Sequence, residues 1–323
     1  MCIRDRFQFY AAITKLRTSR PLLSKLPYWL RPVPADVLDL VRKIIIKQRS
    51  IEDGQPKPFL VSLIRCLYEA QDSSLCQFVA EQLEGSLDLC TTSLTPIDCL
   101  AIGYFISSVS FTTNSIKEFA VNLWGCSLGD TGTKSLMQSI CMSADPLSTV
   151  NTHLSIDLLG NEIHEEGASH IAEVLNRTSI VSTLVISGNL IGDKGLQTIF
   201  DALKQNNSLK YLDVGRCGMT DTGVASLADA LHTNNTLEML YIHDNAAITN
   251  NGLTDLIEPL SRNSGLVKLV LPLYLMPSMD EVEKTINESR KRSGLAAIEL
   301  QGKYYEKCDC FHWKKKWKGV LSQ

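Results

Sequence analysis

Along the middle of the chain, pairs of aliphatic residues separated by one polar position return at a fixed interval. Ile156/Leu158, Leu184/Ile186, Leu212/Val214 and Leu240/Ile242 each lie 28 residues after the pair before. Period two marks a short strand with both side chains on one face. Three positions after each pair stands Asn161, Asn189, Cys217 or Asn245, then an aliphatic (Ile163, Ile191, Met219, Ile248) and a glycine (Gly167, Gly195, Gly223, Gly252). Spacing of four then takes over in Ile171/Leu175, Ile199/Leu203, Leu227/Leu231 and Leu256/Leu260, which predicts a helix in each unit. Asp193, Thr220, Asp221 and Asn250 stand where its N-cap is expected.

Strand, turn and helix in constant order call for a parallel sheet, because a parallel neighbour is reached only through a crossover and the helix supplies it. Stacked units bury the aliphatic pairs in one continuous core, with strands on one face and helices on the other. The recurring Asn is expected to satisfy backbone groups in the turn that leaves the strand, and Cys126 and Cys217 in that slot to act as weak donors. The series extends upstream, across an insertion around Asp145 and Pro146, to Val121/Leu123 and then back to a worn strand at Leu87/Leu89 with Thr92 in the polar slot. Downstream it continues through Leu269/Leu271, the stretch Pro272 to Pro277, a helix over about Met279 to Arg292 and a last strand at Ile298/Leu300. About eight strands are expected, the terminal units being atypical because they cap the stack.

The run L-S-I-D-L-L-G-N-E-I and its counterparts resemble the ribonuclease-inhibitor-like class of leucine-rich repeats, over roughly residues 85 to 302. The resemblance implies a curved α/β horseshoe with its parallel sheet on the concave side. Such a sheet would expose the residues between and just after each buried pair: Asn122, Trp124, Asp157, Val185, Ser187, Asp213, Arg216, Tyr241, His243 and Asp244. Trp, Arg and Tyr dominate interface energetics, so a partner-binding face is expected there.

Residues 1–84 follow another pattern. Prolines at 27, 32, 34, 56 and 58 divide them, and Leu38/Val41/Ile45 and Leu60/Leu63/Leu67 have helical spacing, with two helices expected to join at Asp72 to Ser74. Phe7-Gln-Phe-Tyr-Ala-Ala12, the run Leu63 to Asp72 and Asp98 to Phe105 are similar to the helical domain that precedes the repeats in NOD-like receptors. The glutamate of that family's F-Q-E-F-L-A-A motif is absent. The likeness implies a sensing or autoinhibitory portion of a cytoplasmic innate-immune receptor, binding a protein or microbial ligand or restraining a nucleotide-binding module that this sequence lacks. Phe7 to Leu16 begins in mid-helix with no start signal, so a longer protein is expected to begin upstream, with Met1 to Arg6 outside its coding sequence.

Composition narrows the alternatives. With 32 basic and 35 acidic residues the net charge is -3, which gives no nucleic-acid or anionic-membrane footprint. Cys66, Cys76, Cys99 and Cys141 sit singly in apolar runs, as reduced thiols do. No secretory h-region opens the chain. Gly129-Asp-Thr-Gly132-Thr-Lys134 lacks the Gly-Lys junction of a phosphate loop. His164 and His170 are six apart, on opposite helix faces, and Cys308-x-Cys310-x-His312 lacks a fourth ligand. No metal or cofactor is therefore expected, and no catalysis. Asn176, Asn206 and Asn234 read as polar helix ends rather than glycosylation acceptors. From Lys303 the tail 303–323 carries six lysines against Glu306 and Asp309, with Trp313 and Trp317 among them. The other readings are a stand-alone inhibitor or scaffold, against which the helical segment speaks, and a regulator like the Ran GTPase-activating proteins, whose acidic tail this basic one does not match.

Overall fold

The computed structural model describes residues 57–109, 118–143 and 153–303, together with 39, 41–43 and 45–46. The motif at Phe7, the insertion around Asp145 and the tail with Cys308, Cys310 and His312 lie outside the described residues.

Two helices come first, α1 (Pro58–Ala70) and α2 (Ser73–Gln82). They meet where expected: Gln71 turns left-handed at φ +50°, and the Asp72 carboxylate caps α2 by accepting from Ser74 N and Leu75 N. Strand and helix then alternate. The order is β1 (Ser86–Asp88), α3 (Pro96–Ser108), β2 (Glu118–Asn122), α4 (Gly129–Ser143), β3 (His153–Asp157), α5 (Glu165–Arg177), β4 (Val181–Val185) and α6 (Gly192–Leu203). It continues through β5 (Tyr211–Asp213), α7 (Asp221–Thr233), β6 (Met239–Tyr241), α8 (Asn250–Asp255), α9 (Ile257–Arg262), β7 (Lys268–Pro272), α10 (Met276–Arg292) and β8 (Glu299–Lys303). The eight strands form one parallel sheet in chain order. Register sets Leu87, Val121, Ile156, Leu184, Leu212, Leu240, Leu269 and Leu300 side by side. All are buried, and one apolar cluster runs unbroken from Val41 to Leu300. At the last strand the frame shifts: Leu300, not Ile298, partners Leu269, and Gly302 stands opposite Leu271. Ile298 is buried one step earlier.

Three polar ladders fix the spacing between units. In the first, Asn161, Asn189 and Asn245 each accept two backbone N–H groups through Oδ1 and donate through Nδ2 to carbonyls of the repeat before and of their own turn. Cys126 and Cys217 keep the donor half of that pattern, Sγ lying 3.1 Å from Leu89 O and 3.3 Å from Ile186 O. At the worn first unit, Thr92 Oγ1 instead accepts from Lys57 N, closing the stack against the helical segment.

The second ladder runs under the helix ends. Asn206, Asn234 and Asn263 donate to carbonyls of the preceding repeat, at its helix end or at the asparagine before. Its last rung is Arg290, 1 % exposed, whose guanidinium donates to the carbonyls of Leu260, Asn263, Leu266 and Ala296. Asn234 is the C-cap of α7 and Asn206 stands just after α6, as the helix-end reading has it, and both are in addition buried and bonded between repeats. Asn176, exposed within α5, does not share their position, which Thr178 occupies.

The third ladder bears out Thr220 among the expected N-caps and corrects Asp193, Asp221 and Asn250. Thr220 and Thr249, not Asn250, cap α7 and α8. Asp193 and Asp221 do not cap their own helices but accept from the backbone N and hydroxyl of Thr220 and Thr249 one repeat on. That approach explains the recurring glycine. A Cβ at Gly223 would stand 2.5 Å from Asp193 Oδ1, and one at Gly252 2.4 Å from Asp221 Oδ1.

Candidate binding face

Alternation along each strand sends every second side chain away from the apolar cluster, so the strands lay parallel rows across the open face of the sheet. The central row is Asn122, Asp157, Val185, Asp213 and Tyr241, paired in register. Two residues back lie Ala120, Ser155, Thr183, Tyr211 and Met239. Two residues on, past the strand ends, come Trp124, Leu159, Ser187, Gly215 and His243, joined by a continuing backbone ladder (Gly160 N to Ser187 O, Gly188 N to Gly215 O, Arg216 N to His243 O).

The predicted face residues fall into two groups. Trp124, Asp157, Tyr241 and Asp244 are half-buried, and Arg216 is exposed. Asn122, Val185, Ser187, Asp213 and His243 share the rows but are buried, which differs from the expected exposure. Packing between rows gives the reason. Asn122 donates to Asp88 Oδ1 and accepts from Trp124 N, so its amide is turned along the sheet. Asp157 and Asp213 each accept the N–H two residues on, from Leu159 and Gly215. His243 lies flat over Gly215, where a Cβ would come within 2.3 Å of the imidazole Cε1. The absent side chain at 215 is what admits the ring.

The spacing of the sequence marks only part of the aromatic centre of the face. Tyr211 and Tyr241 face each other with ring centroids 5.0 Å apart, and His243 meets Tyr241 edge-on at 6.3 Å. Tyr211 was missed. Its signal is the same period two, carried one step back from Asp213. Burial, followed by the charges of Asp213 and Asp157 and by Tyr241, pushes the Tyr211 hydroxyl well above the usual tyrosine range. Burial and then Asp213 also raise that of Tyr241, against a hydrogen bond to Tyr211. Two phenols that keep their protons beside carboxylates make an aromatic, electronegative patch.

Arg216 and Asp244 occupy the turn slot held by Gly125, Gly160 and Gly188 in earlier repeats, and like them have positive φ, +54° in each case. Asp is eased into that region by local hydrogen bonding, whereas Arg occupies it at a cost that glycine would not bear. The two side chains lie 3.8 Å apart along the rim of the face.

No group of three or more His, Cys, Asp or Glu is placed to hold a metal ion among the described residues. No helix among them is long and apolar enough to cross a membrane. Seven cysteines are described, all as buried free thiols. Burial pushes Cys76 and Cys99 up to about 12, which makes them packing residues rather than nucleophiles.

A family profile described as Leucine Rich repeat matches residues 181–200 and 205–228, the two most regular units. No curated protein matches the chain. Among solved structures, actin-binding site 2 of leiomodin-1 is similar at 19 % identity and a TM-score of 0.41, over 58 % of this chain and 95 % of that one. The complex of Rad7 and Elc1 in yeast is similar at 11 % identity and 0.26, over 90 % and 85 %. Likenesses that distant carry no argument about function. The eight-stranded parallel sheet, its outer helices, the leading helices α1 and α2 and the profile match make the chain an α/β solenoid of leucine-rich-repeat type.

Proposed function

We propose that the chain is the ligand-sensing part of an innate-immune receptor of the NOD-like kind, and that it captures a protein partner on the open face of the sheet. One observation carries the binding part of this reading. Half-buried Trp124 and Tyr241 and exposed Arg216 belong to the same side of the sheet, and Tyr241 packs against the buried rings of Tyr211 and His243. Aromatic and guanidinium groups on a rigid sheet lose little entropy on binding, which is why they concentrate at interface hot spots. Chemistry of the solenoid's own is not part of the reading, since solenoids of this architecture are binding and scaffold domains. The receptor part rests on the likeness of the runs at Leu63 and Asp98 to the helical domain before the repeats. A phosphate-loop motif encoded upstream of Phe7 supports it, and an authentic translation start close before Phe7 contradicts it.

The binding part is tested by Trp124→Ala combined with Tyr241→Ala. Unchanged far-ultraviolet dichroism with partner capture weakened at least roughly tenfold is expected, since one hot-spot truncation costs about 2 kcal/mol. Equal capture by the variant and the parent contradicts it.

A further inference from the structure

The face that binds is short of cations. Glu118, Asp157, Asp213 and Asp244 lie on it or at its rim, and Glu299 extends it on β8. Against them stand Arg216, 3.8 Å from Asp244, and Lys268, 3.8 Å from Glu299. His243 Nδ1 is 3.8 Å from Asp213 Oδ1. Asp88, at the start of the row, is already held by Lys57. A second feature points the same way. Ser187 is 0 % exposed and shares the face, because it alternates with core-facing Ile186, yet its hydroxyl has no hydrogen-bond partner among the described residues. A buried hydroxyl without a partner is uncommon and marks a polar position that the described residues leave unfilled. Carboxylates near the half-buried ring of Tyr241 suit an ammonium group, which gains from both charge and ring face.

The chain itself carries such groups. After Lys303, the last residue of β8, residues 304–323 hold five lysines against Glu306 and Asp309, four of them in Lys314-Lys-Lys-Trp-Lys318. We propose that this segment is an intramolecular ligand of the sheet face and competes there with the protein partner. The inference rests on the face being the binding surface. Reach is ample. The row from β8 to β5 crosses three strand spacings, about 15 Å, and β3 lies about 25 Å away. Eleven residues from Lys303 to Lys314 extend to about 36 Å.

Zero-length carbodiimide coupling of the full chain, read by mass spectrometry, tests this by joining lysine amines to carboxylates in direct contact. Links from Lys314, Lys315, Lys316 or Lys318 to Asp157, Asp244 or Glu299 are expected. They should fall at least roughly tenfold between 0.1 M and 1 M salt, as the Debye length contracts from about 10 Å to about 3 Å. The quadruple Lys→Glu variant at those positions should capture the partner better than the parent does. Links confined to helix-side acids such as Glu166 and Asp229 overturn the proposal, and so does the absence of links. In a mixture of isotopically heavy and light chains, links only between heavy and light overturn it in favour of a second copy. Failure here with the Trp124/Tyr241 effect intact removes only the tail, whereas loss of that effect removes the face.

Discussion

Asn189 shows how much one side chain holds in this molecule. Its carboxamide takes hydrogen bonds from Asn161 N and Ile163 N and gives them to Leu158 O and Ile186 O, all out of reach of water. Asn189→Ala leaves those groups unsatisfied together and is expected to lower unfolding free energy by about 3–5 kcal/mol in denaturant titration. Asn189→Cys should cost less, because Cys126 and Cys217 already serve the same carbonyls through a thiol. Arg216 makes the opposite case. Its left-handed backbone (φ +54°) suits glycine, so Arg216→Gly is expected to raise stability by about 1 kcal/mol while weakening partner capture. A gain in melting temperature with unchanged capture would show that the rim guanidinium has no part in binding. Positive φ at a bulky residue on a binding rim leads from strain to function, the direction in which the inference is sound.

At the scale of elements, the junction between the leading helices and the first repeat turns on Asp98. It closes the capping box of α3 with Thr95 and also receives the guanidinium of Arg65 from α1. Burial alone would raise the Asp98 carboxyl, but the hydrogen bonds from Arg65 and Thr95 outweigh it and hold the group below the usual carboxylate range. A lowered folded pKa contributes stability that is complete above the unfolded value, about 3.9, and is lost as pH falls through the folded one. Asp98→Asn should therefore cost about 2 kcal/mol at pH 7 and make stability less steep with pH below about 4. An equally steep acid limb in the variant would mean that Asp98 is not the titrating link. In the sequence the two partners stand in separate runs, Leu63 to Asp72 and Asp98 to Phe105, with no sign that they meet. Arg65 lies 33 residues away with nothing local to mark its partner.

For the whole molecule, the fold was legible because it repeats. Leu184, Leu212 and Leu240 could be set side by side from their spacing alone, and the register bears that out. What could not be read was whatever depends on contact between repeats. The close approach of Asp193 to Gly223 looks in sequence like two ordinary helix-start residues, and Arg290 like an exposed base on a charged helix rather than the buried end of an asparagine ladder. The face was half legible for the same reason. Parity placed Asp213 and His243 on the correct side of the sheet, but not the bare Gly215 that lets His243 sink, nor Tyr211 closing over Asp213. The most direct measurement is photo-crosslinking of the bound partner with a photoreactive phenylalanine analogue, placed in turn at Trp124, Leu159 and Tyr241 on the sheet face and at Ser169, Gln197 and Ala225 on the outer helices. Partner adducts at the first three positions and none at the last three are the predicted result; adducts at the helix positions with none on the sheet would contradict the account.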